Sequence, residues 1–136
     1  MYVLGDSVIT EEGLPYIDRI RDVVQEIILV AGNHCTEKLS MKILANYFDQ
    51  IHGSKSKFGS WLTHQPIHSD HLRDRLCIHA HLHSSSIGDP RYFCVSLEQN
   101  NYMPFDLEDI RDVFLQRIKD GHLDEMYLEK IKRSLP

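Results

Sequence analysis

Three histidines alternate in the run Cys77-Ile78-His79-Ala80-His81-Leu82-His83. On an extended strand, residues i, i+2 and i+4 point to one face. The spacing therefore predicts two or three imidazole nitrogens presented to one place, and neutral imidazole is the commonest protein metal ligand. Two other signals precede it, Leu4-Gly5-Asp6 and Val30-Ala31-Gly32-Asn33-His34, and His64 stands between them and the histidine run in Leu62-Thr63-His64-Gln65-Pro66. A carboxylate, an amide oxygen and several imidazoles are the donor types of a metal-dependent site assembled from loops at strand ends.

Each signal alone has a plainer reading. Gly-Asp is a common turn pair. Asn tolerates left-handed backbone, so Gly-Asn-His could be a simple turn. His64 could be a loop histidine ahead of a proline. His81 and His83 could form the solvated face of an edge strand, although alternation of histidines favours a metal role. His79 either lines the site or supports its neighbours, and His52, His68, His71 and His122 read as surface residues.

The elements that must position these residues follow from periodicity. Met1–Leu4 reads as a short strand. A helix starts at Thr10-Glu11-Glu12, where acids favour a helix N-terminus, and carries Leu14, Ile17, Ile20, Val23 and Val24. Ile27–Ala31 is a continuous apolar run, the pattern of a strand buried on both faces. Thr36 caps a second helix with Leu39, Ile43, Leu44, Tyr47 and Phe48. Strands are predicted over 58–63, 76–79 and 92–97. A helix starting at Asp106 ends at Gly121, and a last helix runs from about Leu123 to Ser134. This pattern predicts a single layered α/β domain over 1–136, with the motifs just beyond the C-terminal ends of strands, where open α/β sheets bind ligands.

Composition bounds the function. With 136 residues the chain fits one domain. Hydrophobic and charged fractions of 42% and 26% are those of a globular protein. A net charge of −5 argues against binding nucleic acid through a broad basic face. It leaves phosphate chemistry open, because bound cations supply local positive charge. The three cysteines form no CxxC pair and point to a reduced, cytoplasmic compartment. No apolar stretch approaches the roughly 20 residues of a bilayer span, and no signal peptide is expected.

Taken in order, Gly-Asp, Gly-Asn-His, His-x-Pro and His-x-His resemble the calcineurin-like metallophosphoesterase superfamily. The resemblance covers nearly all of residues 2–110. Its tail, Tyr92–Leu97 followed by Asn101-Tyr102-Met103-Pro104, is similar to a small bacterial and phage subgroup. It implies a β-sheet sandwich flanked by helices and hydrolysis of a phosphate monoester or diester, with a nucleotide or nucleic acid among the candidate substrates. It also implies one or two divalent ions (manganese, iron, zinc or nickel). Asp6 would bridge the metals; Asn33, His64 and His81 would hold the second; His83 would hold the first. His34 would face the substrate as an acid or charge stabiliser. An oxygen bridge holds two such cations about 3.5–4 Å apart.

The chain departs from that pattern in three ways. The family's first strand carries Asp-x-His, and no such tripeptide precedes Asp6, so the expected domain is an N-terminally truncated one. The glycine before His-x-His is Ala80. The carboxylate that usually follows Gly-Asn-His is Cys35, a plain replacement or a soft extra ligand. A missing strand leaves a sheet edge open, for a second copy or a protein partner to cover. The alternative to an enzyme is thus a catalytically impaired binding module acting through protein contact. A third reading is a purely structural histidine-rich domain.

Overall fold

The computed structural model describes residues 1–132. Among these residues, seven strands form two sheets. β1 (Tyr2–Leu4), β2 (Ile28–Val30) and β3 (Gln50–His52) pair in parallel in the order β1-β2-β3. β4 (Lys55–Lys57), β5 (Ser60–Thr63), β6 (Leu76–His79) and β7 (Tyr92–Cys94) form the second sheet in that order; β4 is antiparallel to β5 and the rest are parallel. Helices α1 (Leu14–Arg21), α2 (Met41–Leu44), α3 (Leu107–Lys119) and α4 (Met126–Lys132) complete the mixed α/β architecture.

Side-chain alternation sorts the cores. Leu4 and Val30 face inward with Leu62, Leu76 and Ile78 of the second sheet, and with Ile110, Phe114, Tyr127 and Ile131 of α3 and α4. On the outer face of the first sheet, Leu29 packs with Leu14 and Ile17 of α1 and Leu44 of α2. Every residue of β2 is buried, as its continuous apolar run predicts. On the outer face of the second sheet, Cys77 and Tyr92 pack against Leu72 under the loop after β5. The strands β1, β2, β5 and β6 end at residues 4, 30, 63 and 79, and every candidate site residue lies in a segment that follows one of them.

Several boundaries differ from expectation. The first helix stops at Arg21, and Val23 is 81% exposed. Thr36 caps nothing. Ser40 is the cap, its Oγ accepting the Ile43 N–H at 3.3 Å, and α2 is only four residues long. The residues before it are committed to turns that bury Cys35 and Leu39. β3 and β4 carry too few apolar residues to stand out in the sequence. β7 ends at Cys94, before a 3-10 turn at Leu97–Asn100. Asp106 does cap α3, its Oδ1 accepting the Glu108 N–H at 2.8 Å, and Gly121 beyond the helix end has φ +73°. The final helix begins at Met126; residues 133 and 134 of the predicted span lie outside the described residues. β1 forms an edge of the first sheet, and the Lys57 ammonium of β4 lies 5.4 Å from the Tyr2 ring.

Candidate metal centre

The chain turns sharply after β1. Gly5 and Asp6 both have left-handed backbone, φ 80° and 51°. A Cβ on Gly5 would lie 2.3 Å from His64 Nδ1, so only glycine lets that ring approach. A Cβ on Gly32 would lie 2.2 Å from Asp6 Oδ1. The two glycines therefore bring the loop after β1, the loop after β2 and the His64 ring into contact.

Cys35 fastens the first two loops together. Its buried Sγ accepts the Gly32 N–H at 3.2 Å and the Asp6 N–H at 3.4 Å. The His34 N–H donates to Asp6 Oδ1 at 2.9 Å. The remaining carboxylate oxygen, Oδ2, is 2.9 Å from His64 Nε2.

His64 is the hub. It follows β5, is 5% exposed, and its Nδ1 donates to the Leu4 carbonyl at 2.8 Å. That bond engages the Nδ1 proton, so Nε2 is the lone-pair nitrogen of the neutral ring. Nε2 faces Asn33 Oδ1 at 3.0 Å and His81 Nδ1 at 3.1 Å, in addition to Asp6 Oδ2. The rings of His64 and His81 meet edge-on, with centroids 5.0 Å apart. The ligand atoms of Asp6, His64 and His81 all lie within 4.8 Å of one another. Electron-pair donors from four strand-end segments thus converge, and the hub's own proton is engaged elsewhere. A cation satisfies such a set, so the residues fit a divalent metal. A groove of about 410 Å³ opens beside it, lined by Gly32, Asn33, Gly53, Ser54, His64 and Gln65 among others.

His83 is not in this cluster. β6 ends at His79, and both His81 and His83 have left-handed backbone, φ 65° and 52°. The extended face expected for 79, 81 and 83 does not exist, because period-two alternation stops where the strand stops. The His83 side chain is 78% exposed, and its Nδ1 lies 2.7 Å from Glu98 Oε1. That contact holds the Glu98 carboxyl below its usual range. Gln99 donates from Nε2 to the His83 carbonyl at 2.7 Å, bracing the same loop.

His79 is fully buried at the strand end, and its ring lies edge-on to Tyr92. Its Nδ1 donates to the Ala80 carbonyl at 2.8 Å; its Nε2 has no hydrogen-bond partner among the described residues. Burial pushes its pKa down and keeps it neutral. It supports the loop after β6 rather than joining the donors. His34 contributes its backbone to the centre, while its ring Nδ1 lies 2.6 Å from Glu37 Oε1. His68, His71 and His122 are exposed; His52 is half-buried, with Nε2 3.0 Å from Lys55 Nζ.

Sequence reasoning missed the Leu4 carbonyl, Glu37 and Glu98. Glu37 had a usable signal, a carboxylate three residues after a histidine. Glu98 had none, since fifteen residues separate it from His83. Comparison with known proteins finds no matching family model, no matching curated protein and no matching solved structure. No helix among the described residues is long and apolar enough to cross a membrane.

Proposed function

We propose that this protein is a metal-dependent phosphohydrolase, built on a metallophosphoesterase-like sandwich, that cleaves a phosphate monoester or diester. The observation that carries the proposal is the convergence of Asp6, Asn33, His64 and His81 on one point beside an open groove. Two imidazoles, a carboxylate and an amide oxygen suit manganese, iron, zinc or nickel. A divalent cation held by them supplies Lewis-acid charge to a phosphate ester and lowers the pKa of water toward neutrality.

The chain's own residues do the rest. Leu4 and the His34 N–H orient His64 and Asp6, so the donors are fixed before a substrate arrives. Cys35 holds the two loops in register through two N–H contacts. The His34 ring, half exposed, is the candidate proton donor to the leaving oxygen. One cation per chain is the reading favoured by the donor set, because His83 is engaged by Glu98.

The test is manganese-dependent hydrolysis of bis(4-nitrophenyl) phosphate by the wild type and by His34→Ala. Turnover that requires metal and falls on the substitution supports the proposal. Absence of turnover from folded, metal-loaded protein overturns it.

The His83–Glu98 pair also favours a second reading, a binding module in which the metal only stiffens the loops. In that reading the protein binds one cation, hydrolyses nothing, and uses the edge of β1 to pair with another chain.

A further inference from the structure

We infer that the groove beside the donor cluster is a subsite for an uncharged, hydrogen-bonding ring, the nucleoside of a nucleotide ester, with Ser54, Gln65 and Ile67 as its specificity residues. The inference rests on the phosphohydrolase reading for what the groove serves, but its geometry stands apart from it. Asn33 and His64 line the groove, and both belong to the donor cluster. An ester whose phosphate lies at the cluster therefore has the groove's roughly 410 Å³ for its organic group.

The walls are fixed in advance. They come from the segments that follow β2, β3 and β5. The Ala31 N–H donates to the His52 carbonyl at 2.7 Å, which ties the first two segments together. The third is anchored by the buried Tyr92, whose hydroxyl donates to the Ile67 carbonyl at 2.7 Å. A wall ordered before binding spares the ligand that ordering cost.

The chemistry of the walls selects the ligand. No Asp, Glu, Lys or Arg lines the groove. Lys55 follows Ser54 in the chain, but its ammonium is engaged by Gln50 Oε1 at 2.7 Å and His52 Nε2 at 3.0 Å. A second phosphate would find no cation on these walls, and an ammonium would find no carboxylate; charges leave water at a cost unless they are paired. The polar groups on offer are the Ser54 hydroxyl and the Gln65 amide, neither of which hydrogen-bonds to another described residue. An amide presents donors and an acceptor together, the pairing that a nucleobase edge takes. Ile67 adds an apolar surface for a ring to lie against.

Two measurements on the wild type and on Ser54→Ala/Gln65→Ala test this. The first is calorimetry on manganese-loaded protein with thymidine 5′-methylphosphonate and phenyl methylphosphonate, which carry the same single charge and differ in the ring. The wild type should bind the thymidine ester about tenfold more tightly or better, the discrimination that one good base contact supplies. In the double variant that preference should fall toward unity. The second is hydrolysis of thymidine 5′-(4-nitrophenyl) phosphate and phenyl 4-nitrophenyl phosphate, which release the same phenol. The preference in kcat/KM for the nucleoside ester should again shrink in the double variant. Equal wild-type affinity for the two methylphosphonates, or a preference that the double variant keeps in full, overturns the inference. Absence of turnover of both nitrophenyl esters overturns the phosphohydrolase reading instead, and the calorimetry still decides whether the groove takes a nucleoside.

Discussion

His81 Nδ1 stands 3.1 Å from the hub nitrogen of His64, whereas His83, two residues further on, is 78% exposed and bonded to Glu98. Both belong to one His-x-His motif, and both have left-handed backbone. The difference lies in what each loop residue meets. His81 follows Ala80, whose N–H is pinned to the His64 carbonyl at 3.0 Å, extending the β5–β6 ladder by one residue toward the hub. His83 lies beyond the tight turn in which the Leu82 N–H donates to the Ala80 carbonyl at 2.8 Å, and Glu98 and Gln99 hold it from the other side. Equal spacing in sequence does not mean equal address in space once the strand has ended.

Four substitutions or conditions break or sharpen this comparison. The largest effect is expected at the hub. His64→Ala removes a donor and orphans the Leu4 carbonyl, so the metal affinity measured by calorimetry should fall by more than the roughly 10- to 100-fold typical of losing an outer-shell partner. The thermal midpoint should fall with it, because a buried polar group left unsatisfied costs about 1–3 kcal/mol.

Gly32→Ala comes next. The added Cβ would meet Asp6 Oδ1 at 2.2 Å and displace that candidate ligand while every histidine side chain is kept. Metal affinity should drop about tenfold or more, on the same scale as other perturbations of groups that orient ligands. Affinity equal to the wild type would show that Asp6 is not a ligand.

Glu98→Gln tests the other side. It weakens the hold on His83 and touches none of the four donors. The affinity for the first ion should stay within about twofold, since the substituted group lies outside the donor set. A large loss would mean that His83 and Glu98 serve the occupied centre.

The smallest effect lies away from the site. The Ile27 N–H, foremost, and Arg21 hold the Asp49 carboxyl below its usual value. A depressed carboxylate pKa gives stability that is present above the unfolded value, about 3.9, and lost as pH falls through the folded one. Thermal melts at pH 6 and pH 3 should therefore differ less in Asp49→Asn than in the wild type, and equal differences would remove Asp49 as a contributor.

The legible parts of this molecule were those with strong local signals. β2 stands out because Ile28, Leu29 and Val30 are apolar on both faces, and α3 because Asp106 caps it and Gly121 closes it. Asp6, Asn33 and His64 were marked by glycine or proline neighbours at strand ends. Strands β3 and β4 were not legible; Gln50–His52 and Lys55–Lys57 are polar segments held by pairing to richer neighbours. The fate of His83 was not legible either, because Glu98 reaches it across fifteen residues of chain. Cys35 looked like a lost carboxylate, and only the tertiary structure reveals its N–H contacts across the loops.

The most direct test is a manganese titration by calorimetry, with metal content by elemental analysis, on the wild type, His81→Ala and His83→Ala. A single centre made of Asp6, Asn33, His64 and His81 predicts one ion per chain in the wild type, one in His83→Ala, and none retained in His81→Ala. Binding that survives His81→Ala, or is lost in His83→Ala, would contradict it.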